Sequence, residues 1–117
     1  MEGDISFEDL ARLDAAWRGR AELGLQKLEA QLRAYGRQGS RYLILRFEQR
    51  GEAGRLQIKY AATWLRRRHL HATVHFDRNT GGVQLHVRFP PQPGEKATMN
   101  PTRIGLVSAS WEVKQDA

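Results

Sequence analysis

Between Leu70 and Phe89, apolar and polar residues alternate on both sides of a turn signal. Leu70, Ala72, Val74 and Phe76 take one parity, and Val83, Leu85, Val87 and Phe89 take the matching parity after Asn79-Thr80-Gly81-Gly82. A period of two gives each half one apolar and one polar face, so the stretch predicts an antiparallel hairpin. If Asn79 to Gly82 close the turn, Phe76 lies opposite Leu85 on the core side. On the polar side the same register sets His75 opposite His86, Thr73 opposite Arg88 and Asp77 opposite Gln84. Directly opposed Cβ atoms stand about 4.5–5.5 Å apart, close enough for the two imidazoles to meet.

The pattern upstream has a different period. Over residues 6–36, Leu10, Leu13, Trp17, Ala21, Gly24, Leu28, Leu32 and Tyr35 recur at spacings of three or four, which predicts one long helix with a continuous apolar stripe. Ser6 is placed to cap it, Asp9 imitates the acidic member of a capping box, and Ile5 and Leu10 occupy the staple positions. Gly36 and Gly39 supply the stop. Unbroken, the helix would run about 45 Å, so a bend near Gly19 or Gly24 is expected, or a second copy along part of the stripe.

Arg41–Glu48 reads as a strand with Leu43, Leu45 and Phe47 inward, and Arg55–Tyr60 as its partner with Leu56, Ile58 and Tyr60 inward, joined by a hairpin loop at residues 50–54. Ala61–Arg68 suits a short helix or a strand extension. The segment 90–101, with four prolines, cannot hold a central strand and predicts a loop. A last strand is expected over Ile104–Val113, with Val107, Ala109, Trp111 and Val113 on one parity. The expected fold is one α+β domain spanning residues 1–117: a long N-terminal helix on one face of a roughly five-stranded antiparallel meander covering residues 41–113. By element order alone this resembles cystatin-like folds, which implies nothing about activity.

Composition narrows the classes of function. The 117 residues include no cysteine, which removes disulfides, thiolate nucleophiles and cysteine-ligated zinc, and fits a reducing, cytoplasmic setting. The acidic start MEGDISFEDL is neither a secretory signal nor a transit peptide, and no apolar run is long enough for a membrane span. The net charge of +6 is concentrated: residues 41–89 hold ten Lys and Arg against three Asp and Glu, whereas the flanking segments are close to neutral. A concentrated, arginine-rich patch is the usual footprint of an anionic partner.

On the strand assignments above, Tyr42, Arg46, Gln57, Lys59, His71, Thr73, His75, Gln84, His86 and Arg88 share the outward face, with Arg66, Arg67 and Arg68 beside it. Trp17, Trp64 and Trp111 suit core anchors. A metal would draw on His75, His86 and Asp77, but Arg78 and Arg88 flank that set with like charge, so no metal and no small-molecule cofactor is expected. His69-Leu70-His71 has the His-hydrophobic-His spacing of relaxases and rolling-circle initiators. Those also need a nucleophilic tyrosine, and no tyrosine follows position 60. His75, His86 and Arg88 could instead serve as base, acid and anion holder of a phosphodiesterase. The leading expectation is non-enzymatic: nucleic-acid binding through phosphate contacts from Arg46, Lys59, Arg66, Arg67, Arg68, His71, His75, His86 and Arg88. The rival is an assembly subunit that forms a homodimer through the N-terminal helix.

Overall fold

The N-terminal cap forms as its residues predict, with the Ser6 hydroxyl accepting a hydrogen bond from the Asp9 N–H at 3.1 Å. The computed structural model describes residues 5–49, 51–90, 93–94 and 101–114. Its elements in chain order are α1 (Phe7–Ala11), α2 (Ala15–Arg37), β1 (Tyr42–Phe47), α3 (Gly51–Arg67), β2 (His71–Phe76), β3 (Val83–Arg88), β4 (Thr102–Val107) and β5 (Val113–Lys114).

The expected single helix over 6–36 is therefore two helices. The break falls at residues 12–14, not at Gly19 or Gly24, because Asp14 takes an extended conformation and starts a new helix. The break lets the first segment reach α3, where the Ile5 N–H donates to Thr63 Oγ1 at 3.0 Å. Within α2, Ala21, Leu25, Leu28, Leu32 and Gly36 are buried, so the stripe packs into the chain's own core. The helix runs through Gly36 and stops at Gly39, which takes the left-handed φ of 100°. There the Ser40 N–H bonds the Tyr35 carbonyl and the Gly39 N–H bonds the Gly36 carbonyl, each at 3.1 Å, which satisfies two otherwise orphaned carbonyls.

The largest departure from expectation is α3. Arg55–Tyr60 is not a strand and residues 51–54 are not a hairpin loop; both belong to a 17-residue helix that also takes in Ala61–Arg67. Leu56, Ile58 and Tyr60 do alternate, but Gly54, Ile58, Ala61, Ala62 and Leu65 are also buried, at the spacing of one broad helix face. A six-residue alternation is too short to decide between the two periods, and no turn residue separates it from the helix-forming AATWL.

This helix changes the topology. The sheet is mixed, with order β2-β3-β1-β4-β5, rather than an antiparallel meander. Because α3 carries the chain from β1 to β2, those strands run in the same direction, and β3 returns between them antiparallel to both. β4 lies on the other side of β1 and parallel to it, with a bulge between Ile44 and Leu45. β3 ends at Arg88, beside Tyr42, and β4 begins at Thr102, beside Leu43. The connection thus joins two points at one end of the sheet. The proline-rich loop predicted over 90–101 falls mostly on residues outside those described.

The expected strand over Ile104–Val113 divides into β4 and β5 around a turn at residues 108–112. Trp111 takes a left-handed φ of 68° in that turn, and its N–H donates to the Ser108 carbonyl at 2.9 Å. The turn seats the Trp111 ring 5.1 Å from Phe47 and 6.0 Å from Trp17, centroid to centroid. Leu43, Leu45 and Phe47, Ala72, Val83, Leu85 and Val87, and Ile104 and Val107 form one core with the buried faces of α2 and α3. The helices occupy one side of the sheet; among the described residues no helix covers its other side.

Two glycines of α2 provide a test. A Cβ added at Gly24 would lie 2.5 Å from Trp111 Cδ1 and 2.6 Å from its Cβ, whereas one at Gly19 meets nothing within 4 Å. Gly19→Ala should therefore stabilise the protein by about 0.5–1 kcal/mol through helix propensity. Gly24→Ala should destabilise it by about 1–3 kcal/mol through overpacking. Urea denaturation of the two variants checks the opposite signs.

Candidate functional site on the open sheet face

The hairpin that carries the histidines closes one step earlier than its turn residues suggest. Asp77 and Gly82 form the closing pair: the Asp77 N–H donates to the Gly82 carbonyl at 2.9 Å and the Gly81 N–H to the Asp77 carbonyl at 2.8 Å. Asp77 Oδ1 accepts from the Asn79 N–H at 2.9 Å and the Thr80 N–H at 3.4 Å, an Asx turn that draws four residues into the loop. These hydrogen bonds, that from Asn79 foremost, hold the Asp77 carboxyl below its usual range. The register shifts accordingly: Thr73 pairs with His86, His75 with Gln84 and His71 with Arg88. A shift of two keeps every side chain on its predicted face while correcting each predicted partner.

His75 and His86 meet as diagonal neighbours rather than as a direct pair, with ring centroids 3.8 Å apart and planes inclined at 31°. His86 is only 8% exposed. The Tyr42 hydroxyl lies 2.5 Å from its Nδ1, and Gln84 Oε1 lies 3.0 Å from its Nε2. With Nε2–H donating to the amide oxygen, Nδ1 carries the lone pair that accepts from the tyrosine O–H, which is the neutral imidazole. Burial, then the charges of His75, Arg88 and Arg103, lower the His86 pKa to about 4. Beyond it, the Arg88 guanidinium sits 4.4 Å above the Tyr42 ring. Thr73 Oγ1 is 3.2 Å from His75 Nε2.

The outward strand positions can be read off the register. They are Tyr42, Ile44 and Arg46 on β1, His71, Thr73 and His75 on β2, Gln84, His86 and Arg88 on β3, Arg103 and Leu106 on β4, and Lys114 on β5. None is a carboxylate. Arg46, His71, His75, Arg88 and Arg103 are exposed, while Ile44, flanked in register by His86 and Arg103, is buried.

The nine residues expected to bind phosphate are thus split between two places. Arg46, His71, His75, His86 and Arg88 share the sheet face. Lys59, Arg66 and Arg67 lie on α3, as does Gln57, because the segment expected to be a strand is helical, and Arg68 follows in the turn at its end. Arg66 donates to the Ala72 carbonyl at 2.9 Å, and Arg68 donates to Glu29 Oε1 at 3.0 Å. Arg103 is the residue that sequence reasoning missed. It directly precedes the expected strand start at Ile104, and the β-bulge disturbs the alternation that would have revealed its parity.

The chemistry open to this arrangement is narrow. Asp77 is held by its own turn, and among the described residues no three His, Asp or Glu side chains converge as a metal site. His86 has both nitrogens engaged and is a neutral imidazole, not an imidazolium, near neutral pH. What the face presents is a cationic surface that bears aromatic rings. Among the described residues no helix is long and apolar enough to cross a membrane. Comparison with known protein families, with curated proteins and with solved structures finds no match to this chain.

The His86 environment makes a prediction about pH. The unfolded chain takes up this proton near pH 6.5 and the folded protein only near pH 4, so between those values the unfolded state holds more protons. The contribution of neutral His86 to stability is complete above about pH 6.5 and declines as the pH falls toward 4. Denaturation at a series of pH values should show this slope flattened in His86→Gln. An NMR titration should place the His86 midpoint near 4.

Proposed function

We propose that the protein is a small, non-enzymatic nucleic-acid-binding module that contacts the phosphate backbone through its open sheet face. The observation that supports this most is one-sided: α2 and α3 cover one face of the sheet, and the strand positions of the other combine Arg46, Arg88, Arg103 and three histidines with no carboxylate. Such a face attracts a polyanion and repels like-charged surfaces. Arginine suits it because a planar guanidinium donates two hydrogen bonds to one phosphate.

The apolar face of α2 is spent in the chain's own core, and among the described residues only Phe7 and Leu23 are exposed large apolar side chains. That leaves a helix-mediated homodimer with little apolar surface to bury. The sheet face is the better-equipped contact surface.

Fluorescence anisotropy with short DNA and RNA over a range of salt tests the reading. Affinity should fall steeply with salt, and Arg88→Gln together with Arg103→Gln should lower the slope of log K against log salt by about two. Lys59→Ala and Arg67→Ala, on the helical side, should leave it nearly unchanged. Absence of binding at low salt, or binding indifferent to salt, would overturn the proposal.

A further inference from the structure

We infer that the face binds single-stranded rather than duplex nucleic acid, seating one unpaired base on His75 and leading the strand over the β2 edge into a groove lined by Arg55 and Arg78. The inference rests on the nucleic-acid reading above and specifies its substrate.

The rings of the face form a ladder. The Arg88 guanidinium lies 4.4 Å above Tyr42, Tyr42 lies 5.5 Å from His86, and His86 lies 3.8 Å from His75, the last two being centroid separations. The ladder runs from central β1, across β3, to β2 at the edge of the sheet. His86 is fixed by hydrogen bonds at both nitrogens, so it is a rigid support. His75 is exposed, and among the described residues His86 is its one ring partner. The ladder therefore ends in an aromatic surface with one face spoken for and one face to offer. A base within a duplex already has both of its faces stacked on neighbours, whereas an unpaired base continues the ladder.

The path beyond His75 is cationic. An open groove of about 710 Å³ adjoins it, lined by Gly51, Glu52, Arg55, His75, Phe76 and Arg78 among others. The Arg55 guanidinium is set 4.5 Å over the Phe76 ring, and Arg55 and Arg78 are both exposed. The acids nearby are occupied: Glu52 lies 3.7 Å from Arg12, and Asp77 is held by the backbone of its turn. A strand with its base on His75 meets positive charge on both sides of that base, Arg88 and Arg103 on the sheet and Arg55 and Arg78 past its edge. No comparable support exists for a rigid duplex, which a groove turning around a sheet edge would have to bend.

Fluorescein-labelled 12-mers of oligothymidylate and oligouridylate, and a blunt DNA duplex of the same length, measured by anisotropy at one low salt concentration, test this. Both single strands should bind more tightly than the duplex. His75→Ala should weaken single-strand binding by about 5- to 150-fold, the range for loss of one stacked base, and duplex binding far less. His75→Phe should restore it, which a merely structural or electrostatic role for His75 would not. Arg55→Gln with Arg78→Gln should weaken single-strand binding selectively. Equal or tighter duplex binding, or His75→Ala binding single strands as wild type does, overturns this inference and leaves the broader one standing. Failure of all three probes to bind overturns both.

Discussion

The outer face owes its character to the burial of the inner one. Leu43 and Leu45 on β1 and Leu85 and Val87 on β3 have no exposure at all beneath α2 and α3. Each contributes roughly 1.5–3 kcal/mol by leaving water, so the central strand pair cannot turn over without losing stability comparable to that of a whole domain. Strand alternation does the rest. Once those side chains are fixed inward, Tyr42, Arg46, Gln84, His86 and Arg88 are fixed outward, and no helix remains among the described residues to cover them. The open cationic surface is thus a consequence of core packing rather than a separate feature built onto it.

One polar group on that surface is buried, and it organises the others. A histidine as enclosed as His86 is costly unless its nitrogens are paired, and here Tyr42 and Gln84 pair both. The three residues sit on adjacent strands, so the network locks side chains across the register as well as along it. Satisfied networks of this kind hold their members rigid. The cost of burying His86 is returned as a fixed orientation for Tyr42 and for the imidazole of His75 stacked on it.

Much of this was legible in the sequence where one signal had no competitor. The Ser6 cap, the apolar stripe of α2, the inward sets of β1 and the hairpin, and the polar parity of the histidines all followed from residue order. The failures share a cause, which is local signals of similar strength. Leu56, Ile58 and Tyr60 satisfied a strand period while lying in a helix, and tertiary packing of Gly54, Ile58, Ala61 and Leu65 decided the matter. Asp14 restarted a helix whose stripe ran on without interruption. Asp77 claimed two backbone N–H groups and moved the register by two, and Ser108 turned the chain where no glycine or proline marked it. Asp77 and Ser108 are side chains competing for the backbone, which hydrophobic periodicity does not register.

The α3 arginines show why net charge alone was a poor guide to the site. Glu29 is buried at 6% exposure between Arg33, at 2.9 Å, and Arg68, at 3.0 Å, while Arg33 also donates to the Arg68 carbonyl at 2.8 Å. This cluster ties α2 to the end of α3. Arg66 likewise ties α3 to β2 through the Ala72 carbonyl. Removing Arg68 leaves one oxygen of the buried Glu29 carboxylate without its partner and Arg33 alone to balance the charge, so the expected effect is a loss of stability, whatever the protein binds. On the sheet face the position is reversed: Arg88 and Arg103 are exposed and stand among strand residues with no carboxylate. Within the fold the Arg88 guanidinium rests on the Tyr42 ring at 4.4 Å, a cation–π contact rather than an ion pair. The arginines on Glu29 hold elements of the fold together through a buried carboxylate, whereas Arg88 and Arg103 leave their charge exposed to solvent.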